Sequence, residues 1–353
     1  MRLFDYSLLA KRPWSSETLG YVAQIREHRG KQEAYLAQKP AALDRLVDLA
    51  KIQSTESSNR IEGIITTDSR FKQLYQGKTT PRSRDEKEIM GYRDVLNLIH
   101  EQYANIPLQS GVIRQLHRDL YRYSEKAMGG QYKQAQNYIM ETHQDGTQAI
   151  RFLPLAPYET PEAMDKACAS FSLTLSQQLI DPLVLIPAFI HDFLCIHPFS
   201  DGNGRMSRLL TTLLLYQSDF LVGRYISLEN KIERTKEHYY DALAISGIGW
   251  QEGQNDPSPF INYLLGTILA AYRDLEERIA LLHTKQPAYD MVKEAALSTL
   301  GSFTKSDLLE KIPGISKASV ENALSRLVRE GLLTRHGKGP ATHYTWGSEM
   351  INN

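Results

Sequence analysis

The chain has 353 residues, 42% hydrophobic and 23% charged. That mixture builds ordinary buried cores and excludes a disordered tail protein; as a soft prior, the length suits roughly two to three domains of ~100–200 residues. Lys+Arg and Asp+Glu number 41 each, so no global positive field exists to hold nucleic acid or an anionic membrane, and any such binding must be local. Cys168 and Cys195 are too few for a disulfide scaffold. The start, MRLFDYSLLAKRPW, is broken by Asp5 and does not read as a secretory signal. The longest apolar runs, such as Leu183–Ile190, fall short of the ~20 residues of a membrane span. The expectation is a soluble cytoplasmic protein of a reducing compartment, with no membrane partner.

Along the chain, Leu43, Leu46, Val47, Leu49 and Ala50 recur at helical spacing. A polar cluster, Gln53–Asn59, leads into RIEGII. A second polar stretch, Gln76–Glu86, predicts a loop before a helix over 87–103, and Ile113, Leu116, Leu120 and Tyr121 share one face of the next helix. After Gly129-Gly130 the pattern turns strand-like. Two β-leaning runs, Asn137–Thr142 and Gln148–Leu153, flank Asp145-Gly146, a strong hairpin signal. Helical spacing resumes from Pro161 to about Leu179. Pro182 then opens an apolar helix, the glycine-containing HPFSDGNGR follows, and a further apolar helix begins at Met206. Near the end, Thr304-x-x-Asp307 reads as a helix start. A turn at Pro313–Ser316, a second helix from Lys317 closed by Gly331, and two short strands around Gly337–Pro340 come next. Helix, turn, helix, hairpin is the order of a winged helix-turn-helix. A linker is expected near Thr284–Pro287.

The chemistry is concentrated in His197-Pro-Phe-Ser-Asp201-Gly202-Asn203-Gly204-Arg205-Met-Ser-Arg208. Glycines feeding a helix N-terminus expose unpaired N–H groups, which favour phosphate. Arg205 and Arg208 share one face and are expected in the first turn, where a cation opposes the helix dipole. Two cations at that end imply an anion offsetting both, and Arg makes forked phosphate contacts. Asp201 places a hard carboxylate beside that anion, as a phosphate-bridging Mg²⁺ requires. His197 has a pKa suited to taking a proton from a hydroxyl. A glycine loop, two arginines or a lone histidine would each be structural by itself; together within twelve residues they read as a nucleotidyl- or phosphoryl-transfer site.

This segment resembles the signature of the Fic family, HPFx-D/E-GNGRxxR, at every defining position. The resemblance runs from about Arg60 to Tyr240. It implies a mainly α fold: a Fic-type helical core with a β-hairpin flap, followed here by a small winged-helix (α+β) domain. The domains would be an N-terminal helical region (1–105), the catalytic core (106–284) and the winged helix (285–353). The implied activity is transfer of AMP from ATP to a Ser, Thr or Tyr hydroxyl of a protein, releasing pyrophosphate. It implies His197 as general base, Asp201 as ligand of Mg²⁺ or Mn²⁺, Gly202, Asn203 and Gly204 as the α-phosphate anion hole, and Arg205 and Arg208 on the β- and γ-phosphates. Ser58-Asn-Arg-Ile-Glu62-Gly63 resembles the family's inhibitory motif, (S/T)xxxE(G/N), through which Glu62 would neutralise Arg208; the plain alternative is a helix-capping pattern. The hairpin at Tyr138–Phe152 would receive the target protein, which could be the chain itself, by strand addition. Arg151–Pro157 resembles the family's RFxPPxP, with Leu155 in place of one proline, and Tyr239-Tyr240 would line the adenine pocket.

Other patterns lead nowhere. GNGRMS is near GxGxxG but follows a helix-length run where a dinucleotide fingerprint needs a strand. His191 and His197 lie about 240° apart around a helix, unlike a zinc pair. Ser302-x-x-Lys305 lacks its SDN and KTG companions. In the winged helix, Lys317, Asn322, Arg326 and Arg329 take polar positions and Arg335 and Lys338 mark the wing; seven Lys/Arg against four Asp/Glu from Gly301 to Trp346 give a net +3, mild for DNA. A DNA and a protein partner stay equally open for it, as does a homodimer. So do two other functions: a transcription regulator whose core senses nucleotide, and removal of AMP by the same site.

Overall fold

The computed structural model describes residues 2–36, 40–124, 129–142, 148–283, 287–299, 301–312, 315–339 and 342–346. Among these residues the chain is mainly helical with two small antiparallel hairpins, as expected. It divides into two compact units, Met1–Arg29 with Ala50–Ala271, and Gly30–Leu49 with Tyr272–Asn353.

Helices α1 (Ser16–Leu36) and α2 (Pro40–Ile61) come first. The polar cluster Gln53–Asn59 is helical and largely buried on α2. Its hydroxyls are satisfied: Ser54 Oγ donates to Glu229 Oε2 at 2.6 Å, and Asn230 Nδ2 donates to Ser57 Oγ at 3.2 Å. Helix α3 (Asp68–Tyr75) leads to α4 (Arg84–Gln102), which starts three residues earlier than expected because Ser83 caps it, accepting the Glu86 N–H at 3.1 Å. Helix α5 (Ser110–Leu120) stops one residue before Tyr121.

Gly91 is the contact point of α4 with α5. A Cβ there would lie 1.9 Å from the Leu120 carbonyl oxygen, a backbone atom that cannot swing aside. Gly91→Ala is therefore expected to destabilise by about 3 kcal/mol, the upper range of overpacking and well beyond the ~1 kcal/mol gained in helix propensity. The shift in denaturation midpoint at constant m-value measures it.

Strands β1 (Ile139–Thr142) and β2 (Gln148–Phe152) pair antiparallel, with Ile139 opposite Phe152 and Met140 opposite Ile150. The expected turn, Asp145-Gly146, lies outside the described residues. Helix α6 (Thr160–Ser176) ends short of Leu179, and Gln178 takes a left-handed φ of 53°. Helices α7 (Pro182–Ile196) and α8 (Asn203–Gln217) pack on each other at the centre of the first unit. Every residue of α7 from Leu183 to Ile196 is buried, as an all-round apolar helix demands. Helices α9 (Leu228–Arg234), α10 (Lys236–Gly247) and α11 (Ser258–His283) follow.

In the second unit, α12 (Ala288–Leu297) has no counterpart among the expected elements. Helix α13 (Lys305–Lys311) starts at the expected Thr304/Asp307 capping box. Helix α14 (Lys317–Arg329) is capped by Ser316, and β3 (Leu333–His336) pairs with β4 (His343–Trp346). A single core built on Val292, Phe303, Leu308, Val320, Leu324 and Leu327 joins these elements. Of the expected turn, linker and wing, Pro313-Gly314, residues 284–286 and Pro340 lie outside the described residues.

Candidate active site

The site is built where α7 ends and α8 begins. Pro198 disfavours helical geometry in the residue before it, and His197 caps α7 in the left-handed region (φ 51°, ψ 61°). A non-glycine residue held there costs about 1–3 kcal/mol, a cost met at sites where geometry serves function. His197 Nδ1 lies 3.2 Å from Leu194 O; with Nδ1–H donating, Nε2 keeps its lone pair. Burial, helped by Lys133, lowers the imidazole pKa to about 4, so the ring is neutral near pH 7.

Gly202 is the N-cap of α8, also left-handed (φ 82°), and makes no side-chain cap. A Cβ on it would press to 3.0 Å on Tyr121 and 3.3 Å on His117 Nε2. Asn203 does not turn its side chain to the helix N-terminus: Oδ1 accepts the Phe199 N–H (2.9 Å) and Nδ2 donates to Phe199 O (2.7 Å). Its backbone N–H is left for an anion.

The two arginines point to different partners. Arg205 is in the first turn, but Arg208 is in the second, one turn later than expected. Arg205, 1% exposed, donates to the Tyr121 hydroxyl at 2.8 Å and lies 2.8 Å from Glu88 Oε2; its Nε and Nη1 have no hydrogen-bond partner among the described residues. Arg208 donates from Nε to Ser58 Oγ (2.8 Å) and from Nη2 to Ser58 O (2.9 Å) and Glu62 Oε1 (2.8 Å). Burial opposes its charge most strongly, but Glu62 together with the Tyr239 and Tyr92 hydroxyls outweighs it and holds the Arg208 pKa above its usual value.

Glu62 lies just past α2, whose end turns at Gly63 (φ 75°). The Ser58–Gly63 segment thus spans the last turn of α2 and the residues just past its end. Arg208 fills a role the helix end needs, donating from Nη2 to the last-turn carbonyl of Ser58. Gly204 makes the approach feasible, since a Cβ there would be 2.2 Å from Glu62 Oε1.

Asp201 accepts the Gly202 N–H on Oδ1 (2.7 Å) and Arg84 Nη2 on Oδ2 (3.0 Å). Burial pushes its pKa up, but Arg205, the Gly202 N–H, Tyr121 and Arg84 together win and lower it. Among the described residues no cluster of three His, Cys, Asp or Glu could hold a metal. The donor set therefore fits only a cation that takes most of its ligands from phosphates and water.

A cavity of about 310 Å³ opens beside these groups. Glu62, His197, Gly204 and Arg208 line its polar end, and Tyr239, Tyr240 and Leu243 of α10 with Tyr138, Ile139 and Phe152 of the hairpin line the rest. Arg151 ties the hairpin to α10, donating to Tyr240 O at 2.9 Å. Burial raises the pKa of the Tyr239 hydroxyl to about 12 and that of Tyr240 higher still.

Several contributors gave no signal in the sequence. His117 stacks flat on Phe199, with centroids 3.7 Å apart and planes 3° apart, and its Nε2 lies 3.0 Å from Asp201 O. Glu88, Arg84 and Tyr121 bracket Arg205 and Asp201, and Lys133 and Asn137 hold the loop after α7. Each lies in a segment whose pattern reads as plain helix, loop or strand.

The model of the Fic/DOC family matches residues 107–215, which span α5, the hairpin, α7 and the whole His197–Arg208 loop. This chain carries a Fic/DOC family domain. Relatives include the protein adenylyltransferase Fic of Nematostella vectensis, 22% identical over 63% of this chain and 48% of that protein, and that of Aedes aegypti, 27% identical over 74% and 52%. The chain thus spans about half the length of these two relatives. A Fic family protein from Desulfovibrio desulfuricans has the same fold over 96% of this chain and 98% of its own, with a TM-score of 0.61 at 22% identity. The Fic domain accounts for the helical core that presents the loop; the contacts of Glu62 come from α2, outside the matched residues.

Proposed function

We propose that the protein transfers AMP from ATP to a Ser, Thr or Tyr hydroxyl of a target protein, and that Glu62 restrains it. The relatives named protein adenylyltransferase support the reaction class. The observation that carries the restraint is the fork of Arg208 around Ser58 and Glu62, beside His197 and the uncapped start of α8.

In this reading His197 Nε2 takes the hydroxyl proton while the oxygen attacks the α-phosphorus; a new O–P bond forms, the α–β bridge breaks and pyrophosphate leaves. The backbone N–H groups at Gly202–Gly204 receive the α-phosphate charge. Arg205 and Arg208 hold the β- and γ-phosphates, and Tyr240 lines the adenine end. Asp201 would hold Mg²⁺ or Mn²⁺, which neutralises phosphate charge when bound. The hairpin around Tyr138–Phe152 receives the target backbone. Incubation with ATP labelled at the α- or the γ-phosphate tests the class: label from the α-position should reach protein, while label from the γ-position alone would mean phosphoryl transfer.

Domain limits of 1–105, 106–284 and 285–353 belong to this reading, with the last a winged helix. Its helix α14 exposes Lys317, Asn322 and Arg329, and β3 exposes Arg335. Arg326 is engaged instead: it pairs with Glu330 at 2.7 Å and lies 4.1 Å over the Tyr289 ring. If the partner is duplex DNA, Arg329→Ala is expected to weaken binding and reduce the salt slope by about 1, while Arg326→Ala does less. Retention on DNA that is insensitive to salt or to Arg329→Ala assigns α14 to a protein partner.

A further inference from the structure

The loop that carries His197 has unusually complete support from one short segment. Lys133 Nζ donates to Ile196 O at 2.9 Å. Asn137 Nδ2 donates to His197 O at 3.3 Å and Phe199 O at 3.1 Å. The Lys133 backbone N–H donates to Pro198 O at 2.9 Å. Four successive carbonyls, from Ile196 to Phe199, are thus held by residues 133–137, and Lys133 Nζ also donates to Asn137 Oδ1 at 3.0 Å, which locks the pair together.

Two features separate this from ordinary loop packing. Lys133 is 1% exposed, yet the acceptors of its ammonium are a carbonyl and an amide oxygen, with no carboxylate in contact among the described residues. A buried charge without a counter-ion is costly, and here it is partly offset by the carbonyl end of α7. The held residue is itself strained, His197 at φ 51°, so its conformation needs an external restraint.

We propose that Lys133, with Asn137, is a positioning residue for His197: it fixes the left-handed turn that aims the imidazole. The proposal rests on His197 being the base of AMP transfer. The charged and titratable groups acting on the imidazole are Lys133, which disfavours its cation, and Glu62 and Asp201, which favour it. Burial disfavours the imidazolium most, and Lys133 is the cation of this set, so removing it leaves burial opposed by two anions and shifts the titration upward.

Lys133→Met, Lys133→Arg and Asn137→Ala in the full chain test this by two independent readouts. One is the His197 titration followed by NMR, which needs no turnover. The other is kcat for AMP transfer beside the Kd for ATP. Lys133→Met should lower kcat by about 10²-fold, as expected for a base displaced by ~1 Å, with ATP affinity kept. Its His197 titration should move upward. Lys133→Arg should restore the titration. Asn137→Ala, which keeps the charge and loses two bonds, should lower kcat without moving the titration, and it stands alone as the test if Lys133→Met does not fold. An unchanged His197 titration in folded Lys133→Met, unchanged kcat in Asn137→Ala, or equal loss of ATP affinity and kcat overturns the proposal. If the wild type transfers no AMP while Lys133→Met still shows the titration shift, the functional reading fails and the coupling of Lys133 to His197 stands.

Discussion

His197→Ala is expected to lower AMP transfer by about 10²–10⁴-fold, the range for a lost general base, while ATP remains bound. The separation follows from the geometry. The groups that would meet the phosphates, namely the N–H groups of Gly202–Gly204 with Arg205 and Arg208, belong to α8 and its cap, and among the described residues none uses the His197 ring as a partner. The ring bonds back to its own helix through Leu194 O, so its removal leaves the anion cradle intact. Initial rates with labelled ATP, beside equilibrium binding of ATP, separate the two effects. Equal loss of rate and affinity would show that the histidine shapes the site and takes no proton. The pH profile carries the same assignment. With a His197 pKa of about 4, the base is neutral above it, so kcat should be flat from neutral pH down to about 5 and fall below that.

Glu62→Gly is expected to raise the initial rate, by as much as ~10²-fold, and Arg208→Ala is not. In the wild type, Arg208 gives Nε and Nη2 to Ser58 and Glu62, so a γ-phosphate meets a guanidinium whose charge is already paired. Without that clamp the α-phosphate sits out of line, and phosphoryl-type chemistry depends mainly on positioning. In Glu62→Gly the two Ser58 bonds persist, so the guanidinium stays in place and offers its vacated N–H to the phosphate. Arg208→Ala removes the clamp along with the inhibitor's partner, and the double variant should be as poor as Arg208→Ala alone. Equal rates for wild type and Glu62→Gly would reduce the Glu62–Arg208 pair to a structural contact. If Glu62→Gly also slows removal of AMP from a modified target, Glu62 serves the reverse, hydrolytic reaction as well.

Most of the chemistry was legible because it is contiguous. His197, Asp201, the glycines and both arginines fall within twelve residues, and the signals that shape them act locally: Pro198 ends one helix and Gly202 starts the next. The Thr304 capping box and the two hairpins were readable for the same reason, since each is decided by residues a few positions apart. The sequence by itself therefore determined the helix-loop-helix that carries the reaction groups, and the presence of a second motif at Ser58–Gly63.

Only the tertiary structure decided how those pieces are paired. Arg205 and Arg208 look equivalent at a spacing of three, yet one meets Glu88 and Tyr121 and the other meets Ser58 and Glu62. Polar Gln53–Asn59 became a buried helix face because α9 supplies Glu229 and Asn230 for its hydroxyls. Lys133 and Asn137 took charge of the His197 loop from about sixty residues away in sequence. In each case the outcome depends on which donors and acceptors the packing of apolar helix faces brings within about 3 Å, and the sequence spacing of polar residues carries no record of that.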